Sequence, residues 1–306
     1  MKNRLRTLIG NLPEEVGFKK RMRFHQGWWR AFVLAETEGK HPARRSGKIA
    51  NTIEDGQLNH KNFLSANVHK AVMQTIQERQ SESAGLLEEN RLFNNLLSSQ
   101  PLCFNFFGEL KIDTQLALLV LKQFWPEITG VKWVIFEYSP VQNYTKDNSA
   151  FDVAFEVMSN DRKGLIGLEC KYTDSFSPKV YDRQEYREIY AQTNRRVFNS
   201  TYEELISSRF NQLFRNQLIA EALVQHDQFD FVYTGLFCHQ QDTSAIQTAH
   251  EFQRMLINQD HTFKIITYQS YIEKLQRLDI SWEQRELSML LWARYCGIQL
   301  SQNSYH

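Results

Sequence analysis

Between residues 151 and 172 the chain alternates apolar and polar positions in two runs. Phe151, Val153, Phe155 and Val157 alternate with Asp152, Ala154 and Glu156, and Ile166, Leu168, Cys170 and Tyr172 with Leu165, Gly167, Glu169 and Lys171. A period of two marks β-strands, because successive side chains leave opposite faces of a pleated backbone. The polar stretch SNDRKG between the runs predicts a tight turn, and hence a hairpin. A strand is predicted before it over residues 131–140 (VKWVIFEYSP) and another after it over residues 229–238 (FDFVYTGLFC). Helical spacing predicts a helix over residues 113–125, with Asp113 or Thr114 as N-cap and Pro126 as its stop. A long helix over residues 201–225 opens on Thr201, with Glu204 completing a capping box.

Outside this block the pattern predicts mostly helices. FHQGWWRAFVLAE (residues 24–36) is amphipathic, and its adjacent aromatics read as core. EGKHPARRSGK reads as a loop, and residues 64–98 as two helices broken around SESAG. Residues 99–112 read as an apolar connection and residues 173–202 as a long polar one. Towards the C-terminus FKIITYQSYIEKL predicts an edge strand followed by a helix, while HEFQRMLIN and WEQRELSMLLWARYCGI predict helices.

The hairpin carries the candidate chemistry. A turn centred between Asn160 and Asp161 sets Asp152 opposite Glu169; one centred between Asp161 and Arg162 sets it opposite Lys171. Either register gathers two carboxylates and an ammonium on one face, opposite a face bearing Phe151, Val153 and Cys170. Two carboxylates on adjacent strands suit a hard divalent cation such as Mg²⁺, which takes few protein oxygens and keeps several waters. A plain cross-strand ion pair, worth under ~1 kcal/mol, is the alternative reading of the same three charges. Glu156 shares their face but lies about 13 Å along the strand.

Asp152 followed by Glu169-Cys170-Lys171 on a hairpin resembles the PD-(D/E)XK nuclease superfamily, with Phe151 where the motif has proline. The order helix, three strands, helix, strand is also the core order of that superfamily. The resemblance implies an α/β (α+β) fold: a restriction-endonuclease-like mixed central sheet flanked by helices, here with a mostly helical N-terminal region. It implies a metal-dependent endonuclease that hydrolyses DNA phosphodiester bonds. Mg²⁺, or Mn²⁺ as substitute, would be held by Asp152, Glu169 and the backbone carbonyl of Cys170, with Lys171 orienting the attacking water. Glu109 and Glu137 are further acids that such sites could draw on. Gln212, Arg215, Asn216 and Arg209 share a polar face of the helix after the hairpin, where related nucleases often supply a polar residue. Gln212 or Gln217 could play that part; Gln217 falls on the apolar side of that helix and needs a hydrogen-bond partner if buried. The implied context is restriction or defence against foreign DNA. A catalytically silent nucleic-acid-binding protein of the same fold and a nuclease toxin or RNase stay open.

Composition narrows the picture further. The chain of 306 residues is 42% hydrophobic and 23% charged, ordinary for a soluble globular protein. The expected organisation is a helical region over residues 1–110 and a nuclease-like domain with a helical extension over residues 111–306. No apolar run approaches the ~20 residues that cross a bilayer, and the N-terminus lacks a signal-peptide core. Cys103, Cys170, Cys238 and Cys296 show no C-x-x-C spacing and read as reduced thiols of a cytoplasmic protein. Net charge is +1, but Lys2, Arg4, Arg6, Lys19, Lys20, Arg21, Arg23, Arg30, Lys40, Arg44, Arg45 and Lys48 crowd the first fifty residues against only four glutamates. DNA is the expected partner, with Arg44, Arg45, Lys48, Gln212 and Arg215 as candidate contacts. A homodimer is open to the chain, and no membrane is expected. Motifs for ATP motors, zinc sites and serine hydrolases do not occur.

Overall fold

A computed structural model describes residues 7–40, 47–80 and 87–302. In chain order its main elements are helix α1 (Gly17–Trp28), strands β1 (Glu38–Lys40) and β2 (Lys48–Ile53), and helices α2 (Ala66–Gln80), α3 (Glu89–Asn94), α4 (Ser99–Ile112) and α5 (Thr114–Leu121). Strands β3 (Gly130–Tyr138), β4 (Phe151–Ser159) and β5 (Arg162–Lys171) follow, then helices α6 (Gln184–Val197), α7 (Tyr202–Leu205) and α8 (Asn211–Gln225). Strand β6 (Phe231–Cys238), helix α9 (Thr243–Arg254), strand β7 (Phe263–Thr267) and helices α10 (Tyr268–Gln276) and α11 (Trp282–Leu291) complete the chain.

The chain divides into two units. One holds the residues up to Gln74, Leu87–Glu109 and those from Tyr268 on; the other holds Leu110–Thr267 with the end of α2. In the first, buried polar groups tie the two ends of the chain together. Arg294 donates to the carbonyl of Asn62 at 2.7 Å and to its Oδ1 at 2.5 Å. His25 meets Ser301 Oγ at 2.9 Å and the Ala293 carbonyl at 3.0 Å.

The second unit is built on a five-stranded sheet in the order β3-β4-β5-β6-β7. β3, β4 and β5 pair antiparallel; β6 and β7 join parallel to β5. A parallel neighbour demands a long crossover, and α6 to α8 supply it. This mixed sheet with flanking helices is the architecture that the resemblance implies. The hairpin closes with Ser159 opposite Arg162, the first of the two registers considered. Asn160 takes the turn with φ 53°, a left-handed conformation that asparagine tolerates better than most residues. Asp113 caps α5, accepting from the backbone N–H of Gln115 and Leu116. Thr201 and Glu204 form the expected capping box.

Several local expectations are overturned. Residues 99–112 are helix α4, not a connection. Leu102, Cys103, Phe104, Phe106, Phe107 and Leu110 are all buried, so the helix has no polar face to betray its period. The polar stretch after the hairpin contains α6. The long helix from Thr201 is two helices, α7 ending at Leu205 and α8 starting at Asn211, with the Ser207 carbonyl accepting the backbone N–H of Phe210 and Asn211 between them. Glu38–Lys40, expected as the start of a loop, is a strand that pairs with Lys48–Ile53. Phe151 does not face away from the charges: it packs with Ala154, Leu165 and the α8 residues Ile219, Ala220 and Leu223. Its ring fills the space that Gly167 leaves, where a Cβ would lie 2.6 Å from ring carbons. All four cysteines are free and buried. No helix among the described residues is long and apolar enough to cross a membrane.

Candidate active site

Carrying the pairing of Val153 with Leu168 one residue further sets Asp152 directly opposite Glu169. Lys171, two residues on, returns to the face of Glu169. On the other side of β4, Phe136 pairs with Val153 and Tyr138 with Phe151, so Glu137 stands across from Asp152. Three acidic residues therefore occupy neighbouring positions on three adjacent strands. The Glu137 backbone is left-handed there, with φ 51°, an uncommon conformation for a residue with a Cβ.

Helix α8 holds the other side of Glu169. Gln212 and Asn216 are four residues apart and so share one stripe of the helix. Gln212 Nε2 donates to Glu169 Oε1 at 2.6 Å, and Asn216 Nδ2 donates to Oε2 at 3.0 Å. Lys171 Nζ lies 3.1 Å from Glu169 Oε1 and donates to Gln212 Oε1 at 2.9 Å. The Gln212 amide thus bridges the carboxylate and the ammonium, which fixes which way it points. Asp152 Oδ2 accepts the backbone N–H of Cys170 at 2.6 Å.

Burial and charge explain the protonation of this group. Glu169 is 6% exposed and Lys171 9%. A buried pair loses hydration that its attraction barely repays, so a gain in stability does not account for it. Burial, then the charges of Glu169 and Glu137, push the Asp152 carboxyl well above the usual carboxylate range; the Cys170 N–H and Lys171 only partly offset them. Burial alone would lower the Lys171 ammonium, but Glu169, Asp152 and Asp174 override it and raise its pKa. Lys171 is accordingly held as a cation.

The residues that the sequence singles out fall in different places. Asp152, Glu169, Cys170, Lys171 and Gln212 come together. Arg215 lies one turn along α8 and is turned to Asp147, its Nε 2.8 Å from Oδ2. Asp147 also accepts from the Tyr186 hydroxyl, from Thr145 Oγ1 at 2.8 Å and from the Ser149 backbone. These bonds and the Arg215 charge hold its carboxyl low in spite of burial, and they clasp the β3–β4 loop to α6 and α8. Gln217 is buried and satisfied, accepting from Thr234 Oγ1 and donating to Glu221 Oε1, each at 2.7 Å. Glu156 pairs with Lys132 and Lys163. Glu109 belongs to the other unit and accepts from Ser65 and Asn67. Lys48, also in that unit, is exposed and paired with Glu54 at 3.1 Å. Arg44 and Arg45 lie outside the described residues. The role of Asn216 was not singled out, although its spacing from Gln212 was visible; Asp147 carried no signal beyond its turn-rich surroundings.

Among the described residues no three His, Cys, Asp or Glu side chains form a ready-made metal cage. Hard oxygen donors are nonetheless what Asp152 and Glu169 offer, with Glu137 across from Asp152 on the neighbouring strand. Two carboxylates with a backbone carbonyl fit a cation that keeps several waters.

A mixed sheet with an Asp on one strand and Glu-x-Lys on the next is the arrangement expected of a nuclease of this class. The chain belongs to the PD-(D/E)XK nuclease superfamily, whose family model matches residues 13–297. No curated protein and no solved structure matched the chain significantly.

Proposed function

We propose that the protein is a metal-dependent endonuclease that hydrolyses DNA phosphodiester bonds, acting in restriction or defence against foreign DNA. The observation that carries this reading is the cluster of Asp152, Glu169 and Lys171 at one end of the hairpin, cross-braced by Gln212, in a chain of a nuclease superfamily. Asp152, Glu169 and the Cys170 carbonyl would hold Mg²⁺ or Mn²⁺. The bound cation would supply positive charge to the phosphate and acidify a water at its surface. Lys171, whose ammonium its carboxylate neighbours favour, would orient the attacking water and stabilise charge growing on the phosphate. Gln212 and Asn216 fix the Glu169 carboxylate before substrate arrives. The intact Asp152, Glu169 and Lys171 favour an enzyme over a silent binding protein.

Plasmid nicking tests the assignment. The purified protein should cut DNA with Mg²⁺ or Mn²⁺ and stop with a chelator, and an RNA substrate run in parallel decides between DNA and RNA. Asp152→Ala should abolish cutting. Lys171→Ala should also abolish it yet still bind metal in a calorimetric titration. Wild-type rates from Asp152→Ala would reduce the cluster to a buried ion pair.

A further inference from the structure

The acids around Lys171 pose a problem for any nuclease reading. Asp152, Glu169, Asp174 and Asp242 all bear on the site, and a polyanion approaching them is repelled unless positive charge lies alongside. Within the strap of residues 173–183, which also carries Asp174 and Asp182, Lys179 and Arg183 provide it. This strap leaves the end of β5 at the site itself, where the Phe176 ring lies 5.1 Å from Lys171 Nζ. It then runs along α8 and is pinned there by backbone: the Tyr181 N–H donates to Asn211 Oδ1 at 3.3 Å, and Asn211 Nδ2 donates to the Tyr181 carbonyl at 3.2 Å. One turn on, Arg215 places its guanidinium 4.6 Å from the centre of the Tyr181 ring. Asn211 and Arg215 thus hold the strap from the stripe of α8 next to the one on which Gln212 and Asn216 hold Glu169.

The strap's outer side chains are not used by the fold. Val180 is 51% exposed and Tyr181 36%, and Lys179 and Arg183 are exposed. Among the described residues neither Lys179 nor Arg183 has a carboxylate partner. The neighbouring acid Asp182 is already engaged, by the Tyr202 hydroxyl at 2.7 Å and by Arg187. Arg215 spends its charge on Asp147 and serves Tyr181 as a backing plate. Two uncommitted cations flanking a fixed, half-exposed aromatic ring, beside buried catalytic-type acids, match what a nucleic-acid strand requires: phosphate contacts and a π-face.

We infer that residues 173–183 form the rim that grips the strand to be cut, with Lys179 and Arg183 on its phosphates and Tyr181 as a stacking surface for a base or sugar. The inference rests on the nuclease reading and adds where the substrate lies. Fluorescence anisotropy of the full chain, with chelator present to prevent cutting, tests it. The probes are a fluorescein-labelled DNA duplex of about two helical turns and the matching single strand. Lys179→Ala/Arg183→Ala should weaken binding at least tenfold at low salt and lower the slope of log affinity against log salt by about two. Tyr181→Ala should weaken single-strand binding about fivefold or more, and Tyr181→Phe, which keeps the ring, should bind as wild type. Lys122→Ala/Arg254→Ala, which removes two exposed cations elsewhere in the unit, should leave the slope unchanged. Wild type that cuts while the Lys179/Arg183 variant keeps its salt slope overturns this inference alone, as does an equal loss in the control variant. Wild type that neither binds nor cuts overturns the nuclease reading and the inference with it.

Discussion

Glu221→Gln should stabilise the protein, and by an amount that depends on pH in a way only Glu221 can supply. Glu221 sits on α8 at 9% exposure, accepting one hydrogen bond from Gln217 Nε2 at 2.7 Å. Burial lifts its pKa from 4.5 to about 7, with the Gln217 bond pulling slightly the other way. The folded protein therefore keeps a proton that the unfolded chain releases. Below about pH 4.5 both states are protonated and the residue costs nothing. Between pH 4.5 and about 7 only the unfolded chain ionises, so stability falls by about 1.4 kcal/mol per pH unit. Above that the carboxylate is charged in both states and the loss levels off at about 3 kcal/mol, that slope carried from 4.5 to about 7. Glutamine has the same shape, offers Gln217 the same oxygen and does not titrate. Urea titrations of both proteins should show the variant ahead by under ~1 kcal/mol at pH 5 and by about 3 kcal/mol at pH 8. A difference that is constant across this range, or that shrinks as pH rises, would refute the reasoning.

Other outcomes follow from the same geometry. Asp152→Asn keeps an acceptor for the Cys170 N–H but removes a crowded charge; it should melt higher than wild type, while Mg²⁺ should raise the melting temperature of wild type only. A wild type unmoved by Mg²⁺ in that scan would count against Asp152 as a ligand. Gly167→Ala drives a Cβ to 2.6 Å from the Phe151 ring and should cost about 1–3 kcal/mol by denaturant titration, with Phe151→Leu in the same chain recovering part of it. His25, lowered from 6.5 to about 4 chiefly by burial, contributes stability that is complete above pH 6.5 and is lost as pH falls towards 4. His25→Gln should flatten that part of the stability profile, and parallel acid profiles for the two proteins would exclude the assignment.

The grouping of the candidate site residues was legible in the sequence because its period is short and these residues are close in the chain. Alternation alone placed Asp152, Glu169 and Lys171 together, and the capping box at Thr201 marked the approach to α8. What was not legible has physical causes. Helix α4 is buried on every side, its polar Asn105 and Glu109 included, so no period distinguished it from a connection. Phe151 crossed to the charged face because a glycine on the next strand left room, a packing fact that alternation does not contain. The bonds from Gln26 and His25 to Arg294 and Ser301 join residues at opposite ends of the chain, where pattern has nothing to say. Asp147 works through Tyr186 and Arg215, each distant in sequence.

The hairpin turn, only Asn160 and Asp161 between the paired Ser159 and Arg162, has a consequence for how this chain can vary. Inserting or deleting a single residue there changes the parity of every position on one strand relative to the other. Asp152 and Glu169 would then face opposite sides of the sheet, together with half of the core. Length change in this loop is tolerated only in steps of two, or where a bulge absorbs the odd residue before the charges are reached. Among divergent copies of this chain, turn length should therefore stay even, while the residues within the turn drift freely so long as the first tolerates a left-handed backbone.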